Sequence, residues 1–295
     1  MISILIPCQE DGPLLFPTVD SIFKNRACGT DFEVLLIRSS GFLVSQRISE
    51  FQAKVFSGDF RSQAQALNWG LERAQGNIIC ITKPGCVVAS NWLSEISKFL
   101  RKHPEVQGVG GPVLPSSSYG TRIQRLASII FCEEQGFPDS IAIIDKSNWH
   151  GLLHATNCAF RCDAIRQIGF DESFDYDYDF EICWKMLHRN NCLAHNPRMK
   201  VMYIFPSSMR DLLRRYYSWG KEKVILEKRH PPRSGFVSSL YPPYIAVRGV
   251  FEPSAFISSK KLLRFVQHLA FNVGCIGGYG SRASVEHHQR CVEAK

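Results

Sequence analysis

The sequence predicts an α/β protein: a mostly parallel sheet with helices on both faces, followed by a basic helical extension. Two observations predict it. Short apolar, β-rich runs alternate with helical patterns through the first half of the chain, as in a parallel sheet covered on both sides. Beyond Asn196 the composition shifts. Between Arg198 and Arg264 fourteen Arg or Lys stand against four acids, an excess larger than the net +8 of the whole 295-residue chain. The expected division is therefore residues 1–205 and residues 206–295.

The elements follow in order. A buried strand is expected at 2–6, a helix at 15–26, a strand at 32–37, a helix at 61–75, a strand at 77–82, a helix at 90–102 and a strand at 107–113. In the fourth, Ala64, Leu67, Leu71 and Ala74 recur three or four apart and Gly76 stops the helix. From Pro112 to Ser147 the pattern weakens, and the turn at 115–120 leaves either a lid loop or a plain connector. Ligands of such sheets sit at the carboxyl ends of the strands, which directs attention to 7–11, 38–41 and 82–86. In the extension a helix is expected at 208–229, with Arg210, Arg214, Tyr217 and Lys221 on one face and Met209, Leu212, Leu213 and Tyr216 on another. A second amphipathic stretch is expected at 260–271. Basic rows beside Trp219, Tyr216 and Phe265 suit a membrane surface; solvated faces of ordinary packing helices are the other reading.

Composition narrows the class. With 45% hydrophobic and 21% charged residues the chain is globular. Eleven scattered cysteines, several inside apolar runs, read as reduced, buried thiols of a cytoplasmic protein. Cys158 and Cys162 with His150 and His154 lack the second cysteine pair of a structural zinc site. Met1 leads straight into a strand pattern with no basic leader, and 265–279 falls short of the roughly 20 residues a spanning helix needs. The expected location is cytoplasmic, peripheral at the inner face of a membrane. No nucleic-acid motif accompanies the charge, and none of a dinucleotide-binding fingerprint follows the first strand.

Ser3-Ile-Leu-Ile-Pro7, Phe32-Glu-Val-Leu-Leu-Ile37, Ala64-Gln-Ala-Leu-Asn68, Asn77-Ile-Ile-Cys-Ile-Thr-Lys83-Pro-Gly85, Thr156-Asn157-Cys-Ala-Phe160-Arg161, Tyr178-Asp179-Phe-Glu181-Ile-Cys-Trp184-Lys185 and Leu213-Arg-Arg-Tyr-Tyr-Ser-Trp-Gly220 occur in this order. Together they resemble the family 2 glycosyltransferases, inverting enzymes with the GT-A fold, over residues 2 to 221. The resemblance implies a nucleotide-sugar donor as substrate and a glycan or lipid-linked acceptor. It places Asp179 as general base with Glu181 as its companion acid. Pro7, Glu10, Arg38, Asn68, Lys83 and Gly85 fall on the nucleotide-sugar side, with Asp11 beside them. Trp149, His150 and Asn157 fall on the acceptor side.

The chain departs from the family where a divalent cation is normally held by an Asp-x-Asp and a later histidine. Those places read Lys83-Pro84-Gly85 and Tyr203, so no metal and no other cofactor is expected. The Lys83 ammonium then either sits against the diphosphate in place of the ion or marks a loop that drifted after activity was lost. Arg38 stands where an aspartate commonly receives a base N–H, and arginine has no acceptor to offer. Leu67 replaces an arginine often found before Asn68. Two functions remain open. One is a metal-independent glycosyltransferase; the other is an inactive GT-A protein acting as scaffold for an active transferase. The Asp179–Glu181 acids favour the first, and the combined loss of ion and base positions favours the second.

Overall fold

The computed structural model describes residues 1–8, 14–39, 46–116, 120–135, 137–145, 153–205, 207–229 and 259–279. Glu10, Asp11, Trp149 and His150 lie outside the described residues, as does the proline-rich stretch 231–243. The chain divides into two compact units, Met1–Ser118 with Phe131–Ile204, and Tyr119–Ile130 with Phe205–Lys295. The segment 119–130 thus groups with the second unit, which a linear division at 205 does not foresee.

The strands are β1 (Ile2–Cys8), β2 (Phe32–Ser39), β3 (Ala53–Gly58), β4 (Ile78–Ile81), β5 (Cys86–Val88), β6 (Val106–Gly110), β7 (Val113–Pro115), β8 (Ala142–Ile144), β9 (Cys158–Arg161), β10 (Cys192–His195) and β11 (Val201–Tyr203). The helices are α1 (Leu15–Phe23), α2 (Gln46–Ser49), α3 (Gln63–Arg73), α4 (Trp92–Lys102), α5 (Arg122–Gln135), α6 (Cys162–Ile168), α7 (Tyr178–His188), α8 (Met209–Arg229) and α9 (Ser259–Tyr279). Eight strands form one sheet in the order β3-β2-β1-β4-β9-β6-β10-β8. All seven residues of β1 are buried, as expected of an unbroken apolar run in mid-sheet. From β3 to β4 every pairing is parallel, and β9 then enters antiparallel between β4 and β6. The sheet is therefore mixed, with its parallel half at the amino-terminal end.

That inserted strand positions the site. Because β9 runs against β4, the residues before β9 lie beside those after β4: the Thr82 hydroxyl donates to the Thr156 carbonyl at 3.0 Å. A second, three-stranded sheet has the order β5-β11-β7 and pairs Tyr203 with Cys86. It carries the residues of the later chain back to the loop after β4.

Several expectations change. The first helix stops at Phe23 and gives way to a 3-10 turn at Lys24–Cys28. An edge strand with only weak alternation, β3, joins the expected elements; Lys54 pairs across to Glu33 at 2.8 Å there and helps guard the edge. The weak region 112–147 holds β7, α5 and β8.

In the second unit, Gln124 ties the segment 120–124 to Phe205: its carbonyl accepts from the Gly120 and Thr121 amides and its amide donates to the Phe205 carbonyl at 3.0 Å. Within the same unit α8 and α9 approach backbone to backbone. A Cβ on Gly274 would strike the Tyr217 carbonyl, and one on Gly220 would strike that of Phe271. Helical glycine costs about 1 kcal/mol relative to alanine, and here the close contact offsets it. This is why α9 runs on to Tyr279, past the 260–271 expected from amphipathicity.

Candidate active site

The loop after β4 is held from three sides. Gly85 N–H donates to the Leu14 carbonyl at 3.1 Å and to the Thr18 hydroxyl at 3.0 Å, while the Gly85 carbonyl accepts from Ile204 N–H at 2.9 Å. Gly85 has φ +92°, and a Cβ there would lie 3.1 Å from the Ile204 carbonyl and 3.4 Å from the Tyr203 ring. So Gly85 and Tyr203, far apart in sequence, are neighbours at the place where the family resemblance puts an ion. Gly85→Ala should therefore destabilise the protein by about 1–3 kcal/mol through positive-φ strain and crowding, read as a lowered denaturation midpoint.

Lys83, half-buried in this loop, carries its Nζ 4.9 Å from the centre of the Tyr178 ring. Tyr178 opens α7 and is fully buried, and its hydroxyl donates to the Gln63 side-chain carbonyl at 3.2 Å. The next residue is Asp179. One of its carboxylate oxygens accepts from Ala155 N–H at 2.8 Å and the other from Phe180 N–H at 2.9 Å. Those bonds fix the orientation of the carboxylate at the first turn of α7. It keeps 7% of its surface exposed. Burial is the main reason the Cys158 thiol is held well above its usual range. Asp179 adds to that rise and Lys83 opposes it, so both charges act on one neighbourhood. Burial likewise pushes up Cys80 and Cys183, which leaves the thiols protonated and inert.

Glu181 has a different situation. It is fully buried and its carboxylate pairs with Lys185 at 2.7 Å, one helical turn on. Two residues apart on a helix, Asp179 and Glu181 point in different directions. Glu181 thus sits in an internal ion pair with Lys185, whereas Asp179 is held by the Ala155 and Phe180 amides.

Asn157 is enclosed. It is fully buried; its carbonyl accepts from the Trp92 indole at 2.8 Å, and its amide donates to the Pro112 and Met199 carbonyls at 3.1 and 2.6 Å. Asn68 brackets the backbone of Phe170, accepting from its N–H and donating to its carbonyl, both at 2.9 Å, and also donates to Glu172. It positions the loop before α7. Leu67 is core. His154 lies buried among Phe131, Phe137 and Phe180.

At the ends of β1 and β2, Pro7, Cys8, Ile37, Ser39, Phe60, Ser62, Gln63 and Ala66 line a small crevice. Arg38 pairs in register with Cys8, and its Nε and Nη1 are buried with no hydrogen-bond partner among the described residues. Unmade hydrogen bonds at a buried charged donor are costly, which makes Arg38 the clearest unsatisfied group on this side of the sheet.

The three residues at the place of the ion offer few ligands to a hard cation. Lys83, Gly85 and Tyr203 supply neither carboxylate nor imidazole, and among the described residues no group of three or more His, Cys, Asp or Glu could hold a metal. Sequence reasoning missed Thr18, which braces the Lys83–Gly85 turn, and Tyr178, the platform under Lys83. The only signal for Tyr178 was its place next to Asp179.

The model of the family described as glycosyl transferase family 2 matches residues 3–169, more than half of the sequence. The chain belongs to this family. The match stops short of Asp179, whose assignment rests on the residues around it. A Methanococcus voltae protein is 20% identical over 250 residues, covering 77% of this chain and 74% of its own length. It is named dolichyl N-acetyl-alpha-D-glucosaminyl phosphate 3-beta-D-2,3-diacetamido-2,3-dideoxy-beta-D-glucuronosyltransferase. Among solved structures, the mannosyltransferase PcManGT of Pyrobaculum calidifontis, in complex with GDP-Man and Mn2+, superposes with a TM-score of 0.61. It does so at 13% identity, covering 95% of this chain and 87% of its own. S. aureus TarS 1-349 in complex with UDP-GlcNAc gives 0.56 at 10% identity, over 93% and 90%. These likenesses show that this family 2 glycosyltransferase has the GT-A fold, an α/β sheet protein with added helices.

Proposed function

We propose that this chain transfers a sugar with inversion from a nucleotide-sugar donor to a hydroxyl of a lipid-linked or polysaccharide acceptor, without a divalent metal. The observation that carries the reading is the placement of Lys83 over the ring of Tyr178, the residue that precedes Asp179 in the chain. It puts a cation at the end of β4 and a carboxylate at the start of α7, the two charges that an inverting displacement needs. Asp179 takes the acceptor's proton as its oxygen bonds to the anomeric carbon. The bond from that carbon to the diphosphate breaks, and the electron pair leaves on the nucleoside diphosphate. Lys83 offsets the charge developing there as a point cation. Arg38 offers its unpartnered N–H groups to acceptor oxygens of the nucleotide, a base carbonyl or a phosphate. Pro7, Ser39 and Gln63 shape the crevice beside it.

The lipid-linked acceptor is supported by the name of the Methanococcus relative, which describes a dolichyl-phosphate-linked substrate. Nucleotide-sugar use is supported by the GDP-Man and UDP-GlcNAc complexes of the two structural neighbours. A peripheral place on the inner face of a membrane, through residues 206–295, suits such an acceptor, and no helix among the described residues is long and apolar enough to cross one. Nucleic acid has no part in this reading.

Calorimetric titration with UDP, GDP, dTDP and their sugars, in EDTA and then with magnesium or manganese, tests it. Binding is expected in EDTA, to be weakened about tenfold or more by Lys83→Ala through loss of a charge-assisted contact, and to be unchanged by added metal. Metal-dependent binding would overturn the lysine-for-ion assignment. The presence of Lys83, Gly85 and Tyr203 where ion ligands stand in relatives favours a second reading, an inactive GT-A scaffold for an active transferase. Absence of nucleotide binding under every condition would select it.

A further inference from the structure

On α9, Leu262, Leu269, Val273 and Ile276 are 51%, 49%, 48% and 69% exposed. Their spacing of seven, four and three residues returns each to the same side of a helix, so they form one continuous apolar stripe. The stripe is not the packing face of α9. That face carries Leu263, Gln267, Phe271, Gly274, Cys275 and Gly278, all buried, and it is there that α9 meets the backbone of α8.

On α8 the exposed residues Arg210, Arg214, Tyr217, Lys221 and Lys228 likewise fall on one side, at intervals of four, three, four and seven. Tyr217 links the two rows. A Cβ on Gly277 of α9 would lie 2.9 Å from the Tyr217 hydroxyl, and Gly277 follows Ile276 directly. Basic row and apolar stripe therefore meet along one flank of the helix pair. The two helices carry ten basic residues and three acids, and α9 has no acid at all.

We propose that this flank docks on an anionic lipid monolayer, with Leu262, Leu269, Val273 and Ile276 entering the headgroup boundary and the α8 row neutralising lipid phosphates. The inference rests on the membrane reading of residues 206–295 and names the face that does the work. Charge decides the occupant. A second copy of this chain would set like-charged helices against each other, whereas an acidic lipid surface complements them. A helix that presents an apolar face flanked by basic residues lies in the interface plane.

The test is sedimentation of the full chain with vesicles of phosphatidylcholine alone and of phosphatidylcholine with phosphatidylserine. Wild type is expected to sediment with the anionic vesicles. Leu269→Glu with Ile276→Glu should reduce binding about tenfold or more by placing charge in the apolar boundary. Arg214→Glu with Lys221→Glu should remove the preference for anionic lipid. Both pairs are exposed, so unchanged melting is expected and checks folding. Equal sedimentation of the Leu269/Ile276 variant and wild type would overturn the proposal, as would no binding by wild type. So would a soluble dimer that this variant dissolves, since the stripe would then belong to a second copy. Nucleotide titration on the same samples separates this inference from the transferase reading, because lost docking with retained nucleotide binding leaves that reading intact.

Discussion

Asp179→Asn is expected to lower the rate of sugar transfer by about 10²–10⁴-fold, the range that general-base catalysis contributes, while the protein still folds. The substitution keeps the shape of the side chain and removes its ability to take a proton. It also has a structural effect, because both carboxylate oxygens accept from backbone N–H groups, of Ala155 and Phe180. An amide can accept at only one of its two ends, so the other presents a donor to a donor. That leaves one buried N–H unsatisfied, at about 1–3 kcal/mol. Activity is therefore to be compared at a temperature where circular dichroism shows both proteins fully folded. Donor binding by calorimetry should change little, since the proton transfer concerns the acceptor. Full turnover in the folded variant would remove Asp179 from the reaction.

Asn157→Leu is expected to lower stability by about 3 kcal/mol or more, since each buried group left without its partner costs about 1–3 kcal/mol. The side chain has the same number of heavy atoms, so no cavity opens and the loss is chiefly one of hydrogen bonds. The Trp92 indole loses its acceptor, and the Pro112 and Met199 carbonyls lose a donor. These three groups come from three separate stretches of chain, so the loss should appear as a shift in the whole urea transition, with its slope unchanged. An acceptor-binding Asn157 predicts something else: a raised KM for acceptor with an unchanged midpoint. A midpoint within about 0.5 kcal/mol of wild type, the range of neutral surface changes, would return Asn157 to the acceptor side.

These two residues show how far the sequence could be read. Asp179 and Asn157 both lie in segments that resemble family 2 motifs, and at that level they look equally functional. Nothing within a few residues of either distinguishes them. Asp179 keeps 7% of its surface exposed and follows Tyr178, whose ring Lys83 overlies, while Asn157 is closed in by Trp92, Pro112 and Met199. Glu181 follows the same logic, since its partner Lys185 was visible four residues away but its complete burial was not. The edge strand β3 was missed because Ala53–Gly58 has little pattern of its own and takes its form from pairing with β2. The helix α5 was missed because the turn residues ahead of it drew the reading toward a loop.

The sequence by itself determined the alternation of strands and helices, the family, the chemistry absent from the ion position, and the basic rows of α8. All of these are local: periodicity and residue type need no knowledge of the rest of the chain. The tertiary structure decided which polar groups are core, which ring lies under Lys83, and that α9 presents its apolar stripe outward. Those facts depend on burial and on hydrogen bonds between residues tens of positions apart, and such contacts exist only once β9 has entered the sheet and the glycines of α8 and α9 have met.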